Sequence, residues 1–199
     1  MLPPLALQVC AACANLFPMN LALKPMTADA YLAWLEEQPT WRYELVDGQI
    51  VAMNARTARH IVAKFAIVCA LKVATNGKPF HVLGDGMCVR VDARTVFEPD
   101  ALVYGGTEVP GDTAVLANPV VVVEVLSPGT KTVDTTRKLE GYFKLASVRH
   151  YLIVDPKASA VVHHARDTAG AIATPVLTNG ELVLSAIDVR VPVTSFFPA

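Results

Sequence analysis

The 199-residue chain is predicted to form an α/β domain: a mixed sheet flanked by helices, with additional β-hairpins at both ends. Three observations predict this. Residues Pro119 to Pro128 form a β-branched run in which Val120 to Val123 and Val125 surround Glu124, the pattern of a strand buried on both faces of a sheet. A helical pattern over about 134 to 147 and a second apolar run from His150 to Pro156 follow it. Strand, helix and strand in that order make a βαβ crossover with two parallel strands. Finally, Asp47-Gly48 and Asn179-Gly180 lie between short extended runs, and such dipeptides signal tight hairpin turns.

Composition narrows the class. Hydrophobic residues make up 53% and charged residues 18%, which excludes a disordered or coiled-coil chain. The formal net charge of -1 supplies no global attraction to nucleic acid, so any such binding needs a local basic patch or a dimer cleft. Cys10, Cys13, Cys69 and Cys88 do not have the spacing of a disulfide framework, and a reducing cytoplasmic location fits them. The lone Cys10-x-x-Cys13 pair has no partner pair for a zinc site. Residues 1–25 contain Pro3, Pro4, Pro18 and Pro25, and their first basic residue is Lys24. Neither a signal peptide nor a membrane span fits that pattern. They are set aside as an N-terminal extension of little order, leaving 26–199 as one domain.

Element by element, Thr27 is placed to cap a helix with Tyr31, Trp34 and Leu35 on one face, ended by Pro39. Residues 41–53 then form the first hairpin, with Tyr43 and Leu45 on one face and Arg42, Glu44 and Val46 on the other. A helix over about 57 to 74 has Ile61, Phe65, Val68, Leu71 and Val73 as its apolar face, with His60 and Lys64 on a polar edge. On this reading His60 is a helix-surface residue, with a supporting site role as the other reading. Pro99 cannot donate to a ladder, so it opens a strand and leaves Asp100 at the strand's mouth. Asp134 is placed as the cap of the next helix, with Lys138 and Tyr142 on its face at four-residue spacing.

A buried glutamate asks for a cation, and Glu124 therefore marks the candidate site. Asp100 and Glu124 together form a workable pair for a hard divalent ion such as Mg²⁺, which binds through one or two carboxylates and keeps several waters. Lys138 is the nearby ammonium that could orient an attacking water. Glu44 is either a further acid or a hairpin ion-pair member. Asp134 is a cap or a site residue, and Tyr142 a core or a site residue.

Several stretches carry a family resemblance: Glu98-Pro-Asp100, Val121 to Pro128, Asp134-x-x-x-Lys138-x-x-x-Tyr142 and Tyr151 to Pro156, with Tyr31-Leu-x-Trp34 and Tyr43 to Gly48. In that order they resemble the Uma-two-type endonucleases, a branch of the PD-(D/E)XK nuclease superfamily, over about residues 26 to 195. The resemblance implies a restriction-endonuclease-like fold and hydrolysis of DNA, in double-stranded form, with Mg²⁺ or Mn²⁺. It implies Asp100 and Glu124 as metal ligands and Glu44 as a further acid; a homodimer, with no membrane involved, would supply two cutting centres, one for each strand. One departure stands out: the superfamily's lysine would sit two residues after Glu124, where this chain has Leu126. The family pattern suggests that Lys138 replaces it. The alternative is a nuclease-fold module that binds nucleic acid or protein without catalysis. Lys131, Arg137, Lys138, Lys144 and Arg149 form the one local basic enrichment that could meet a phosphate backbone.

Overall fold

The computed structural model describes residues 25–38, 42–53, 57–127 and 132–198, with the side chains of 132–134 excepted. The expectations for residues 1–24, Pro39 and Lys131 lie outside the described residues, as does the one for the Asp134 side chain.

Helix α1, Ala28–Leu35, starts where Thr27 Oγ1 accepts the Ala30 N–H at 3.2 Å, satisfying one of the open donors of the first turn. Its Tyr31 is fully buried and donates its hydroxyl to Tyr43 O at 2.7 Å. Strands β1 (Tyr43–Val46) and β2 (Gln49–Ala52) form the expected hairpin, with φ of 52° at Asp47 and 83° at Gly48. Only a residue tolerant of the left-handed region suits such positions. Helix α2 runs Ala58–Ala74, capped by Thr57. It is followed by β3 (Phe80–Gly84), β4 (Cys88–Asp92), β5 (Thr95–Phe97), β6 (Ala101–Gly105), β7 (Val115–Leu116) and β8 (Pro119–Val125). Helix α3 is Thr132–Lys144. Last come β9 (His150–Asp155), β10 (Ala160–Arg166), β11 (Ile172–Ala173), β12 (Val176–Leu177), β13 (Glu181–Leu184) and β14 (Val189–Pro192).

These strands divide into two mixed sheets and a ribbon rather than one sheet. The larger runs β11-β10-β9-β8-β6-β3, with β12 beside β10; the smaller runs β2-β1-β5-β4-β7; β13 and β14 pair alone. The division has a local cause. Strand β5 ends at Phe97 in the small sheet and β6 begins at Ala101 in the large one, with Glu98-Pro99-Asp100 between them. Pro99 lacks the N–H that would continue a ladder, so the chain changes sheets there. The βαβ unit is as expected, with β8 and β9 parallel in the register Val121↔His150 to Val125↔Val154. Asn179-Gly180 is a turn, with φ of 75° at Gly180, but it does not close a hairpin. Strand β12 before it joins β10 and β13 after it joins β14, because each finds a longer partner elsewhere.

The period-two alternation of β8 feeds two cores. Val121, Val123 and Val125 pack with Ile67 and Leu71 of α2 and with Leu182 and Leu184, whereas Val122 packs with Phe97, Tyr142 and Tyr151 under α3. Burying each such valine contributes about 1.5–3 kcal/mol. Glu124 shares the Val122 side of the strand by alternation, and so meets α3.

Helix α2 overturns one expectation. Its buried stripe is His60, Ala63, Lys64, Ile67 and Leu71, while Ile61, Val62, Phe65 and Val73 are exposed. Residues 60, 64, 67 and 71 follow the i, i+4, i+7, i+11 line of one helical face. The lower half of that line packs into the core, and the upper half carries the polar pair His60 and Lys64 toward Asp100. Helix α3 begins two residues before Asp134 and ends at Lys144. Asp134 therefore lies within the helix rather than before it.

Candidate active site

The site forms where the two sheets meet at Glu98-Pro99-Asp100. Asp100 N donates to Val123 O at 3.0 Å and Val125 N donates to Asp100 Oδ2 at 2.7 Å, so β8 grips both ends of this aspartate. Lys64 Nζ lies 2.8 Å from Asp100 Oδ1, and His60 Nε2 lies 3.5 Å from Oδ2. All three residues are buried.

One strand away, Glu124 Oε1 accepts the Tyr142 hydroxyl at 2.7 Å and Lys138 Nζ at 3.1 Å. Lys138 Nζ also lies 3.0 Å from Glu44 Oε1. One ammonium thus stands between a carboxylate of the small sheet and one of the large sheet. Lys138 reaches them because residues 138 and 142 share a helix face and because α3 approaches closely at Gly141. A Cβ added to Gly141 would stand 2.5 Å from Phe97 Cε2, so a larger residue there would push the helix outward. The Tyr142 ring packs on Phe97 and Tyr151, with centroids 5.1 and 5.2 Å away.

The two ends are joined by a chain of hydrogen bonds and ion pairs. Glu44 Oε1 accepts the Glu98 N–H at 2.9 Å, the Glu98 carboxylate pairs with Arg42, and Arg42 Nη2 lies 2.5 Å from Asp85 Oδ1. Asp85 pairs with Lys64, which returns to Asp100. The electrostatic outcome differs between the ends. Burial raises the pKa of Asp100, but hydrogen bonding from His60, the Lys64 ammonium and the Val125 N–H outweigh it and hold the carboxyl down at about 2. For Glu124 burial is the largest influence. The Lys138 charge opposes it, but Asp100 and Glu44 add repulsion, and the carboxyl is pushed up to about 8. Burial and the neighbouring Glu124 and Glu44 charges likewise raise Tyr142 well above the ordinary phenol range.

Asp100, Glu124, Lys138, Glu44 and Tyr142, all singled out from the sequence, are therefore brought together. His60 is placed with them, buried and not on the surface, because its Nε2 is held by Val125 O at 2.9 Å. Lys64, Asp85, Glu98 and Arg42 were not singled out as site residues. For Lys64 the signal was its four-residue spacing from His60; for Glu98 it was adjacency to Pro99-Asp100. Of the basic enrichment over residues 131–149, Arg137 is exposed and Lys131 lies outside the described residues, while the other three are engaged. Lys138 is buried among acids, Lys144 Nζ pairs with Asp92 at 2.9 Å, and Arg149 Nη2 donates to Arg166 O at 3.1 Å.

Among the described residues, no three His, Cys, Asp or Glu side chains gather as a full metal cage. Two hard-oxygen carboxylates, one just before β6 and one on the adjacent β8, fit Mg²⁺ or Mn²⁺. Such ions take one or two carboxylates and complete their shells with water and substrate phosphate. A zinc site with its N and S ligands does not fit.

The architecture defines a class: an α/β protein with a nuclease-like fold. The crystal structure described as a "putative nuclease belonging to DUF820" from Anabaena variabilis ATCC 29413 shares this fold. Its TM-score is 0.72 at 16% identity, covering 87% of this chain and 98% of that one. Within the class the chain belongs to the Uma2 family, described as "Putative restriction endonuclease", whose model matches residues 28–190. Two uncharacterized proteins of Synechocystis sp. are each 26% identical to it over 144 residues. That match spans 71% of this chain and 81% and 75% of theirs.

Proposed function

We propose that the protein is a Mg²⁺- or Mn²⁺-dependent endonuclease that hydrolyses phosphodiester bonds of double-stranded DNA. The observation that supports this reading best is Lys138 Nζ, held at 3.0 and 3.1 Å between Glu44 and Glu124, one strand from an ionised Asp100. Asp100 and Glu124 would hold the cation, which when bound offsets charge on the phosphoryl group and lowers the pKa of water. The Tyr142 hydroxyl fixes the orientation of Glu124. Lys138 is placed to orient the attacking water and to offset charge developing on the phosphoryl oxygens. Hydrolysis then forms a bond from water oxygen to phosphorus as a P–O ester bond breaks, with a proton passing to the departing oxygen.

Incubating plasmid with the protein, with and without Mg²⁺ or Mn²⁺, tests the reading. Metal-dependent nicking that falls about a thousandfold in Asp100→Ala, the scale of several kcal/mol of lost charge stabilisation, supports it. No nicking with either metal supports the second reading, a non-catalytic nuclease-fold module. Leu126 at the superfamily's lysine position favours that reading.

A homodimer, with one cutting centre for each strand, is part of the proposal. The outward face of α2, with Ile61, Val62, Phe65 and Val73 exposed, supports it, because an apolar patch on a helix face is ordinarily covered. Phe65→Glu is expected to give monomers by light scattering while leaving monomer stability within about 0.5 kcal/mol. Among the described residues no helix is long and apolar enough to cross a membrane. A cytoplasmic setting is proposed because Cys69 and Cys88 are free thiols.

A further inference from the structure

Two charged residues beside the reaction centre, Lys64 and Asp85, have no part in the proposed hydrolysis. Lys64 lies on the buried line of α2, one turn after His60. A buried ammonium persists only beside acids that offset the loss of its hydration. Lys64 touches two: its Nζ lies 2.8 Å from Asp100 Oδ1 and pairs also with Asp85 Oδ1. These acids differ in their access to water. The Asp100 side chain is 5% exposed and the Asp85 side chain 44%, because Asp85 lies in the turn between β3 and β4.

The two oxygens of Asp100 are also unequal. Oδ2 accepts the Val125 N–H at 2.7 Å and faces His60 Nε2 at 3.5 Å, so protein donors take up the lone pairs on that side. A divalent cation therefore meets Asp100 best at Oδ1, which is the oxygen that Lys64 holds. Two cations drawn to one oxygen repel each other, and more strongly in a buried site than in water.

We propose that Lys64 is a built-in competitor for the cation at Asp100, and that Asp85 is the acid to which it withdraws when a divalent cation takes Oδ1. The inference rests on the metal-dependent nuclease reading, and it adds a residue pair outside the ligand set that tunes the affinity for the metal. Because Nζ already touches both acids, withdrawal requires only a change of side-chain torsions. The ammonium stays paired throughout, so its buried charge is never left uncompensated.

The test reads metal binding in the absence of DNA. Affinity is the quantity followed, rather than nicking, because Lys64→Met also strips a cation from beside Asp100 and slows cutting for that reason. Isothermal titration of Mn²⁺ into wild type, Asp85→Asn, Lys64→Met and the double variant gives four affinities. Asp85→Asn should bind Mn²⁺ roughly tenfold more weakly than wild type, because Lys64 loses the acid it withdraws to. Lys64→Met should bind roughly tenfold more tightly, because the competitor is gone. In the Lys64→Met background the loss from Asp85→Asn should shrink to about threefold or less, since only the direct attraction of Asp85 for the metal remains. A lysine that never moves gives the same loss in both backgrounds, and such additivity overturns the inference while leaving the nuclease reading standing. Weaker binding in Lys64→Met does the same. Absence of Mn²⁺ binding by wild type overturns both. Should Lys64→Met lose its fold by circular dichroism, Lys64→Gln takes its place in the cycle. Asp85→Asn, at an exposed turn, keeps the fold, and wild-type affinity in that variant overturns the inference by itself.

Discussion

The two carboxylates at the centre of the site, Asp100 just before β6 and Glu124 on the neighbouring β8, are treated in opposite ways. Asp100 is surrounded by donors: a backbone N–H at 2.7 Å, an ammonium at 2.8 Å and an imidazole at 3.5 Å. Glu124 has one ammonium, shared with Glu44, and a phenol at 2.7 Å. The first arrangement stabilises a negative charge and the second leaves it under-compensated, which is why one pKa falls to about 2 and the other rises to about 8. A site with one fixed anion and one carboxyl that gives up its proton when a cation arrives can take up that cation without first losing its shape. The α2 side sets the geometry, and the α3 side carries the surplus negative potential.

On that division the two lysines are not equivalent, and the largest difference is expected between them. Lys138→Met removes an ammonium at the proposed reaction centre. It should lower metal-dependent nicking by about 10²–10⁴-fold, the range of a lost acid–base group, while isothermal titration still detects Mg²⁺ binding. Lys64→Met, which acts only through Asp100 and Asp85, should cost roughly tenfold. Equal losses in the two would erase the distinction.

Stability should separate the carboxylates by sign. Asp100→Asn leaves its donors poorly matched and should destabilise the metal-free protein by about 1–3 kcal/mol at neutral pH. A carboxyl with a depressed pKa contributes stability above its ordinary 3.8, and that contribution is lost as pH falls from there through about 2. The gap between wild type and Asp100→Asn should therefore close in that window. Glu124 runs the other way. Its stabilising contribution is fully present below 4.5 and is lost as pH rises from there through about 8. Glu124→Gln should match wild type near pH 4.5 and melt higher than metal-free wild type at pH 8, with Mg²⁺ narrowing the difference. Thermal melts over pH 2 to 8 check both signs, and melts shifted in the same direction would refute the comparison.

The smallest effect is expected from Tyr142→Phe. The ring stays packed on Phe97 and Tyr151, so the loss is one hydrogen bond to a charged group, about 1.5–3 kcal/mol at most. Nicking should fall by about tenfold or more with the fold unchanged by circular dichroism. The pH midpoint for Glu124 should move up, because the Tyr142 hydroxyl lowers it.

Much of the α3 side was legible in the sequence because its signals are local. A carboxylate inside a valine run, and a lysine and a tyrosine at helical spacing, can each be read within a window of about ten residues. The α2 side was not, and α2 itself shows why. Both of its faces carry apolar residues, so periodicity alone chose Ile61, Phe65 and Val73, which are exposed. What buries His60 and Lys64 instead is Asp100, distant in sequence, and no local pattern reports such a partner. The split into two sheets was hidden for a similar reason. Pro99 announced a strand start, but not that the strand before it belongs to a different sheet.

That split has a consequence for how the proposed site assembles during folding. Glu44 comes from the small sheet and Glu124 from the large one. Lys138 bridges them, and Glu98 and Asp100 lie on the three-residue crossing between the sheets. Neither sheet alone contains a usable set of groups. On the endonuclease reading, cutting competence should therefore appear in refolding only when the two sheets dock, later than the recovery of strand signal, and a half-folded chain would be harmless to any DNA it touched.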